Sequence, residues 1–171
     1  MAADFSIRAA RSGDEHGIFA LVRALAEYEH LAHTVSGSPE RLALHLFGPR
    51  PAAEALVVEV ADSLVGFALF FGNFSTFLCE PGLYLEDIFV LPEYRKRGLG
   101  KALIAAVAAL AEQRHCGRLE WSVLDWNASA IAFYERLGAR VLPDWRICRV
   151  TGDALSGLAK AGGAHAGSSG P

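Results

Sequence analysis

Apolar residues recur along the chain with two periods, and the change from one to the other marks its elements. Ile18, Leu21, Val22, Leu25 and Tyr28 fall at helical spacing. Ser12-Gly13-Asp14-Glu15 before them has the form of a capping box, which predicts a helix from Ser12 to near His30. Ser38-Pro39 offers a serine cap and a first-turn proline, so a second helix is expected to about Phe47, where GPRP stops it. Strand-like runs are Phe5 to Arg8, ALVVEV (55–60), LVGFALFFGNF (64–74) and GLYLEDIFVLP (82–92). Ala61-Asp62-Ser63 is short enough for a tight hairpin, and FSTFLCEPG (74–82) reads as a turn or loop. Leu99, Leu103, Val107 and Leu110 form a single stripe, predicting a helix over 98–115. RLEWSVLD (118–125) returns as a strand, and Asn127 to Leu137 as a short helix closed by Gly138. ARVL (139–142) and WRICRV (145–150) are expected to be two last strands, and 151–160 a weak closing helix. The order β-α-α-β-β-β-α-β-α-β-β describes a mixed α/β fold, one sheet with helices on its faces.

Composition narrows the class. The 171 residues are 52% apolar and 20% charged, which suits one folded domain over 1–155. A small-residue tail, 156–171, is expected to be flexible. A net charge of -3 argues against a general nucleic-acid binder, so any anion site must be local. The longest apolar run, ALIAAVAALA (102–111), falls short of the roughly 20 residues of a membrane span. The beginning, MAADFSIRAA, lacks the apolar core of a signal peptide. Cys79, Cys116 and Cys148 are far apart, and His30, His33 and His45 have no partner at ligand spacing, so no metal site is expected. A reducing, cytoplasmic setting follows as the expectation.

Two places carry candidate chemistry. In EYRKRGLGKAL (93–103), Lys96, Arg97 and Lys101 surround Gly98 and Gly100 just as a helix begins. Helix N-termini expose unpaired N–H groups and bind phosphates, and glycine lets the backbone come close. The pattern is neither a Walker loop nor GxGxxG. Taken alone it also reads as a solvated basic cap. The second place is Glu86-Asp87, adjacent acids in an otherwise apolar strand. Strand neighbours point to opposite faces, so one of them breaks the in/out pattern or faces a cleft.

Arg95-x-x-Gly98-x-Gly100 between a strand and a helix resembles the (Q/R)-x-x-G-x-(G/A) motif of the GNAT family of acetyl-CoA-dependent N-acetyltransferases. NASAIAFYERLGA (127–139) is similar to that family's second hallmark, one βα unit further on. RALAEYEHL (23–31), LYLEDIFVLPEYRKRGLG (83–100) and DWNASAIAFYERLGA (125–139) narrow the resemblance to the diamine and thialysine acetyltransferase branch. It implies a largely antiparallel mixed sheet with helices on both faces, and no metal. It implies acetyl-CoA as cosubstrate, the backbone of Ile88, Phe89 and Val90 pairing with the pantetheine arm. The pyrophosphate would lie on the amides of Arg97, Gly98, Leu99, Gly100 and Lys101, with Arg95 and Lys96 also among the cofactor contacts, and Asn127 would touch the CoA arm while capping its helix. Homodimerisation is likewise implied.

Acetyl transfer requires a neutral amine, whose pKa is ~10.4, to attack a thioester. The resemblance gives Glu86 the water-mediated deprotonation and Tyr134 the protonation of the leaving thiolate. By helix geometry alone Tyr134 belongs to a core stripe with Ile131 and Leu137. Tyr28, Glu29 and Asp87 would line the amine site together with Glu86. Polyamine acetyltransferases carry an acid and a tryptophan in the loop before this strand. Here that loop is Ser75 to Leu78 with Glu80 its only acid, although Asp144 before Trp145 offers another carboxylate further on. Fewer acids favour a shorter acceptor: a diamine, thialysine or a lysine-like compound. Acetylation of protein amines and a non-catalytic acyl-CoA-binding module are the alternatives.

Overall fold

The computed structural model describes residues 5–163, in two compact units divided between Ser122 and Val123. The first unit contains β1 (Ser6–Ala9), α1 (Glu15–Tyr28), α2 (Pro39–Phe47), β2 (Glu54–Val60), β3 (Ser63–Ser75), β4 (Glu80–Val90), α3 (Leu99–Gln113) and β5 (Arg118–Trp121). Its five strands form one sheet in chain order. β1 to β4 are antiparallel neighbours, and β5 returns parallel to β4 after the α3 crossover.

Local chemistry explains most boundaries. Ser38 accepts a hydrogen bond from Arg41 N and caps α2 behind Pro39. The β2–β3 turn is Ala61-Asp62, both with left-handed φ (47° and 62°), closing on the Val60–Ser63 pair. The β3–β4 hairpin pairs outward to Ser75 and Glu80, so the expected 74–82 loop shrinks to residues 76–79. The capping box does not form at Ser12. α1 starts at Glu15, whose carboxylate accepts from Gly13 N instead of Ser12 N; Asp14 stands at the N-cap position but makes no side-chain cap, its carboxylate being taken by Arg8 and by Arg11 N.

Both faces of the sheet are covered. Ala55, Val57, Phe67 and Phe89 point toward Ile18 and Leu21 of α1 and Leu46 of α2. Leu56, Val58 and Ala68 alternate to the other face, where α3, with Leu99, Leu103, Ile104 and Val107 buried, packs on β2, β3 and β4. The register slips once in β4: Leu69 pairs with Asp87 but Phe70 pairs with Leu85, leaving Glu86 as a one-residue bulge. Upstream of it Leu83 and Leu85 share the α3 face; downstream that face passes to Ile88 and Val90.

In the second unit α4 (Ala128–Arg136) begins at an Asn127 cap, ends before Gly138 (φ +92°) and is followed by α5 (Gly152–Gly163). The strands expected at 139–142 and 145–150 are absent, and the strand expected over 118–125 stops at Trp121. A strand needs a neighbour for its backbone groups. Among the described residues no strand pairs with 140–150, where Trp145 is 76% and Ile147 71% exposed. The closing helix runs to Gly163, past the expected 160. The remainder of the expected tail, with His165, lies outside the described residues. Among the described residues no helix is long and apolar enough to cross a membrane.

Candidate active site

The bulge organises the acids. Glu86, the unpaired residue, is exposed, whereas Asp87 is partly buried and turned to the α1 face two residues before Phe89. Burial, then the charges of Glu86 and Glu29, push the Asp87 carboxyl up to about 6. Glu29 follows the last turn of α1 next to Tyr28, and burial raises its carboxyl above the ordinary value. The fold thus brings Glu29, Glu86 and Asp87 within electrostatic reach of one another. Three carboxylates sharing a half-buried site attract a cation, whose arrival relieves their mutual repulsion.

Beyond the bulge β4 loses its neighbour on one side. β5 pairs with Gly82 to Leu85 and stops, so Ile88, Phe89 and Val90 are bonded to β3 alone and keep an unladdered edge. An extended chain can add to such an edge. The strand then enters the basic turn. Lys96 (φ 63°) and Gly98 (φ 86°) are left-handed, and α3 starts at Leu99 without a side-chain cap on Gly98. Nothing lies within 4 Å of where a Gly98 Cβ would stand. Lys96, Arg97 and Lys101 are exposed around this uncapped helix start, with Gly100 half-buried behind it. Open amides, a helix dipole and exposed cations suit the phosphates of a nucleotide-bearing acyl carrier.

Arg95 is placed differently from its neighbours. Its guanidinium carbon lies 4.6 Å from the Tyr28 ring centroid and 5.3 Å from that of Phe89. Its Nε donates to Val90 O at 2.9 Å. The side chain therefore ties the turn to α1 and β4 instead of reaching out with Lys96 and Arg97.

In the second unit, Asn127 Oδ1 accepts from Ala130 N (3.2 Å) and from the Ser129 hydroxyl (3.1 Å). Tyr134 lies half-buried on α4, its ring 5.4 Å from that of Phe133. Among the described residues no group of side chains is arranged to hold a metal ion.

The acetyltransferase (GNAT) family model matches residues 20–139, which include the uncapped turn, the bulged strand and α4. The chain belongs to the GNAT acetyltransferase family. Members of this GNAT family use acetyl-CoA, and the open edge of β4 and the α3 N-terminus fit its pantetheine and phosphates. The thialysine N-epsilon-acetyltransferase of Bos taurus is 39% identical over 90% of this chain and 96% of its own length. The L-ornithine N5-acetyltransferase NATA1 of Arabidopsis thaliana is 35% identical over 90% of this chain and 87% of its own. Among solved structures, an integron cassette protein from the mobile metagenome of V. cholerae superposes with a TM-score of 0.76 at 24% identity, covering 94% of this chain and 99% of that one. This last likeness concerns the GNAT fold alone.

Two features escaped the sequence reading. The bulge had a signal: apolar positions at 83 and 85 give way to 88 and 90, a period-2 pattern slipping by one at Glu86-Asp87. The inward turn of Arg95 had none, because nothing in RxxGxG distinguishes a side chain that packs from one that reaches out.

Proposed function

We propose that the protein transfers the acetyl group of acetyl-CoA to a primary amine of a small molecule, with thialysine, ornithine or a lysine-like compound as the acceptor class. The observation that carries this reading is the carboxylate group at the β4 bulge beside an open strand edge. The names of the relatives support the acceptor class, since ornithine and thialysine each present one terminal ammonium.

In this reading the ammonium docks against Glu29 and Asp87. Glu86, exposed at the bulge, takes a proton from it through water. The neutral nitrogen attacks the acetyl carbonyl carbon, the N–C bond forms, the nitrogen releases its second proton to water, and the C–S bond breaks. Tyr134 gives its phenolic proton to the departing thiolate and is reprotonated from solvent. The amides of Arg97 to Lys101 hold the pyrophosphate, and Asn127 steadies the CoA arm. No covalent enzyme intermediate is needed.

The test is a CoA-release assay over thialysine, ornithine, lysine, diamines and polyamines. Tyr134→Phe is expected to lower kcat about 10²-fold or more, with acetyl-CoA affinity by calorimetry nearly unchanged. Glu86→Gln is expected to move the acidic limb of the kcat/KM profile upward in pH. Unchanged turnover in the first variant, or an unchanged profile in the second, removes that residue from its role.

A further inference from the structure

The face that carries Asp87 continues past the bulge. Because Glu86 is the extra residue, Tyr84 lies on the same side of the sheet as Asp87, although three positions separate them. Phe71 stacks beside Tyr84 at 5.4 Å, and the Tyr84 hydroxyl meets the Ser122 hydroxyl at 2.7 Å. One pair further along, Asn73 of β3, Gly82 of β4 and Arg118 of β5 stand abreast, with Glu120 opposite Tyr84. A Cβ on Gly82 would run into Asn73 Oδ1 and the Arg118 side chain, so the group needs glycine at that position.

Polar capacity is left over in this group. Asn73 Nδ2 donates to Glu120 Oε2 at 3.0 Å. Arg118 Nε lies 2.9 Å from the same Oε2, close enough for an ion pair but out of line for a hydrogen bond. Arg118 Nη2 reaches Phe74 O at 3.4 Å. Among the described residues Asn73 Oδ1 and Arg118 Nε are buried without a hydrogen-bond partner. Among the described residues the hydrogen bonds of these two side chains use Glu120 Oε2 and Arg118 Nη2, leaving Glu120 Oε1 and Arg118 Nη1 to a ligand. The side chains of Arg118 and Glu120 nevertheless remain about one-third exposed, at 35% each, and so within reach of a solute. A free carboxylate oxygen beside a free guanidinium N–H complements a group that has both an ammonium and a carboxylate.

We propose that Arg118 and Glu120, the latter held by Asn73, form the subsite for the α-ammonium and α-carboxylate of an amino-acid acceptor, the Phe71 and Tyr84 rings bedding its methylenes. This rests on the reading of Glu29, Glu86 and Asp87 as the site of the reacting amine. The span agrees: with Glu86 bulged out, Tyr84 stands two paired positions, about 7 Å, from Asp87, and Glu120 lies one strand, about 4.8 Å, across from Tyr84. An extended lysine-sized chain with a hydrogen bond of about 2.9 Å at each end covers that distance. The α-ammonium goes to Glu120 Oε1, and the α-carboxylate to Arg118 Nη1. A diamine or polyamine has no carboxylate for Arg118 and meets a like charge there. The preferred class is therefore α-amino acids with a terminal amine.

The experiment compares lysine with cadaverine and ornithine with putrescine, each amino acid against its decarboxylated counterpart. The full-length protein is used, with both acetylation kinetics and calorimetric binding in the presence of CoA. The wild type is expected to favour each amino acid, and Arg118→Gln to lower the amino-acid-to-diamine ratio of kcat/KM and of affinity at least tenfold. Arg118→Lys, which keeps the charge, is expected to retain most of the preference, and the ratio itself corrects for any loss of folded protein. A wild type without preference, or a ratio unmoved in Arg118→Gln, overturns the subsite. Binding that depends on Arg118 without acetylation of any amine leaves the subsite standing and overturns the proposed function instead.

Discussion

Asp87 holds its charge at a cost. Its carboxyl is pushed up to about 6, by burial first and then by Glu86 and Glu29, against an ordinary value of 3.8. The folded state therefore binds the proton more tightly than the unfolded chain does. Stability falls as pH rises from about 4 to about 6, and above that window the penalty is complete. Asp87→Asn removes the penalty and is expected to stabilise the protein at pH 7.5 by about 1–2 kcal/mol after allowance for solvent screening, with little gain at pH 3.5. Thermal melts at the two pH values check the sign. The same change should raise the KM for the amine, because one of the three carboxylates at the bulge is gone. A variant that is more stable at neutral pH and poorer in amine binding is the expected signature of a charge kept for function.

The turn between β4 and α3 depends on a side chain that the sequence placed among the cofactor contacts. Arg95 lies over Tyr28 and Phe89 and donates to Val90 O, so its loss should loosen the joint between strand, turn and α1. Arg95→Ala is expected to cost about 1–3 kcal/mol, the sum of a buried cation–π contact and a charged hydrogen bond. Lys101→Ala, on the exposed first turn of α3, should leave stability within about 0.5 kcal/mol and weaken acetyl-CoA binding. Urea unfolding alongside CoA calorimetry separates the two residues. A sequence motif records which residue types surround an anion, and so the basic turn, Gly98 and the helix start were legible. It does not record χ angles, and so the packing of Arg95 on Tyr28 and Phe89 was not legible. The strand itself was legible in extent to within two residues, while its bulge was hidden by reading LYLEDIFVL as one uninterrupted alternation.

Across the molecule, the sheet of the first unit was readable because its signals are local: turn residues at 61–62, a serine cap at Ser38, and stripes in α1 and α3. What failed needed distant partners. The start of α1 is tied by Arg8, a residue of β1 that holds Asp14 at 2.6 Å and Glu59 of β2 at 2.7 Å, while Glu15 turns back to Gly13 N and not to Ser12. That three-way contact ties β1, β2 and the start of α1, with Asp14 buried. Arg8 holds the Asp14 carboxyl below the usual carboxylate range. Its contribution is present above pH ~3.9 and is lost as pH falls through the depressed folded-state value. Arg8→Met is expected to cost about 2–4 kcal/mol at pH 7, with a smaller difference below pH 3, measured by chemical denaturation. The strands read into 139–150 failed for the same reason: alternation is a property of the segment, but a ladder is a property of two segments.

The bulge at Glu86 also fixes how the chain tolerates changes in length. β4 carries an odd offset, so its two halves keep opposite parity with respect to the sheet faces. Deleting Glu86 would restore a single parity and exchange the faces of one half. Tyr84 and Gly82 would then turn toward α3 and Leu83 and Leu85 away from it, or else Asp87 and Phe89 would leave the α1 side. Removing one residue from the 76–79 hairpin loop carries no such exchange. A one-residue gap in β4 among sequences of this length would thus mark a protein whose acceptor site had been rebuilt, whereas gaps in the hairpin would be neutral to it.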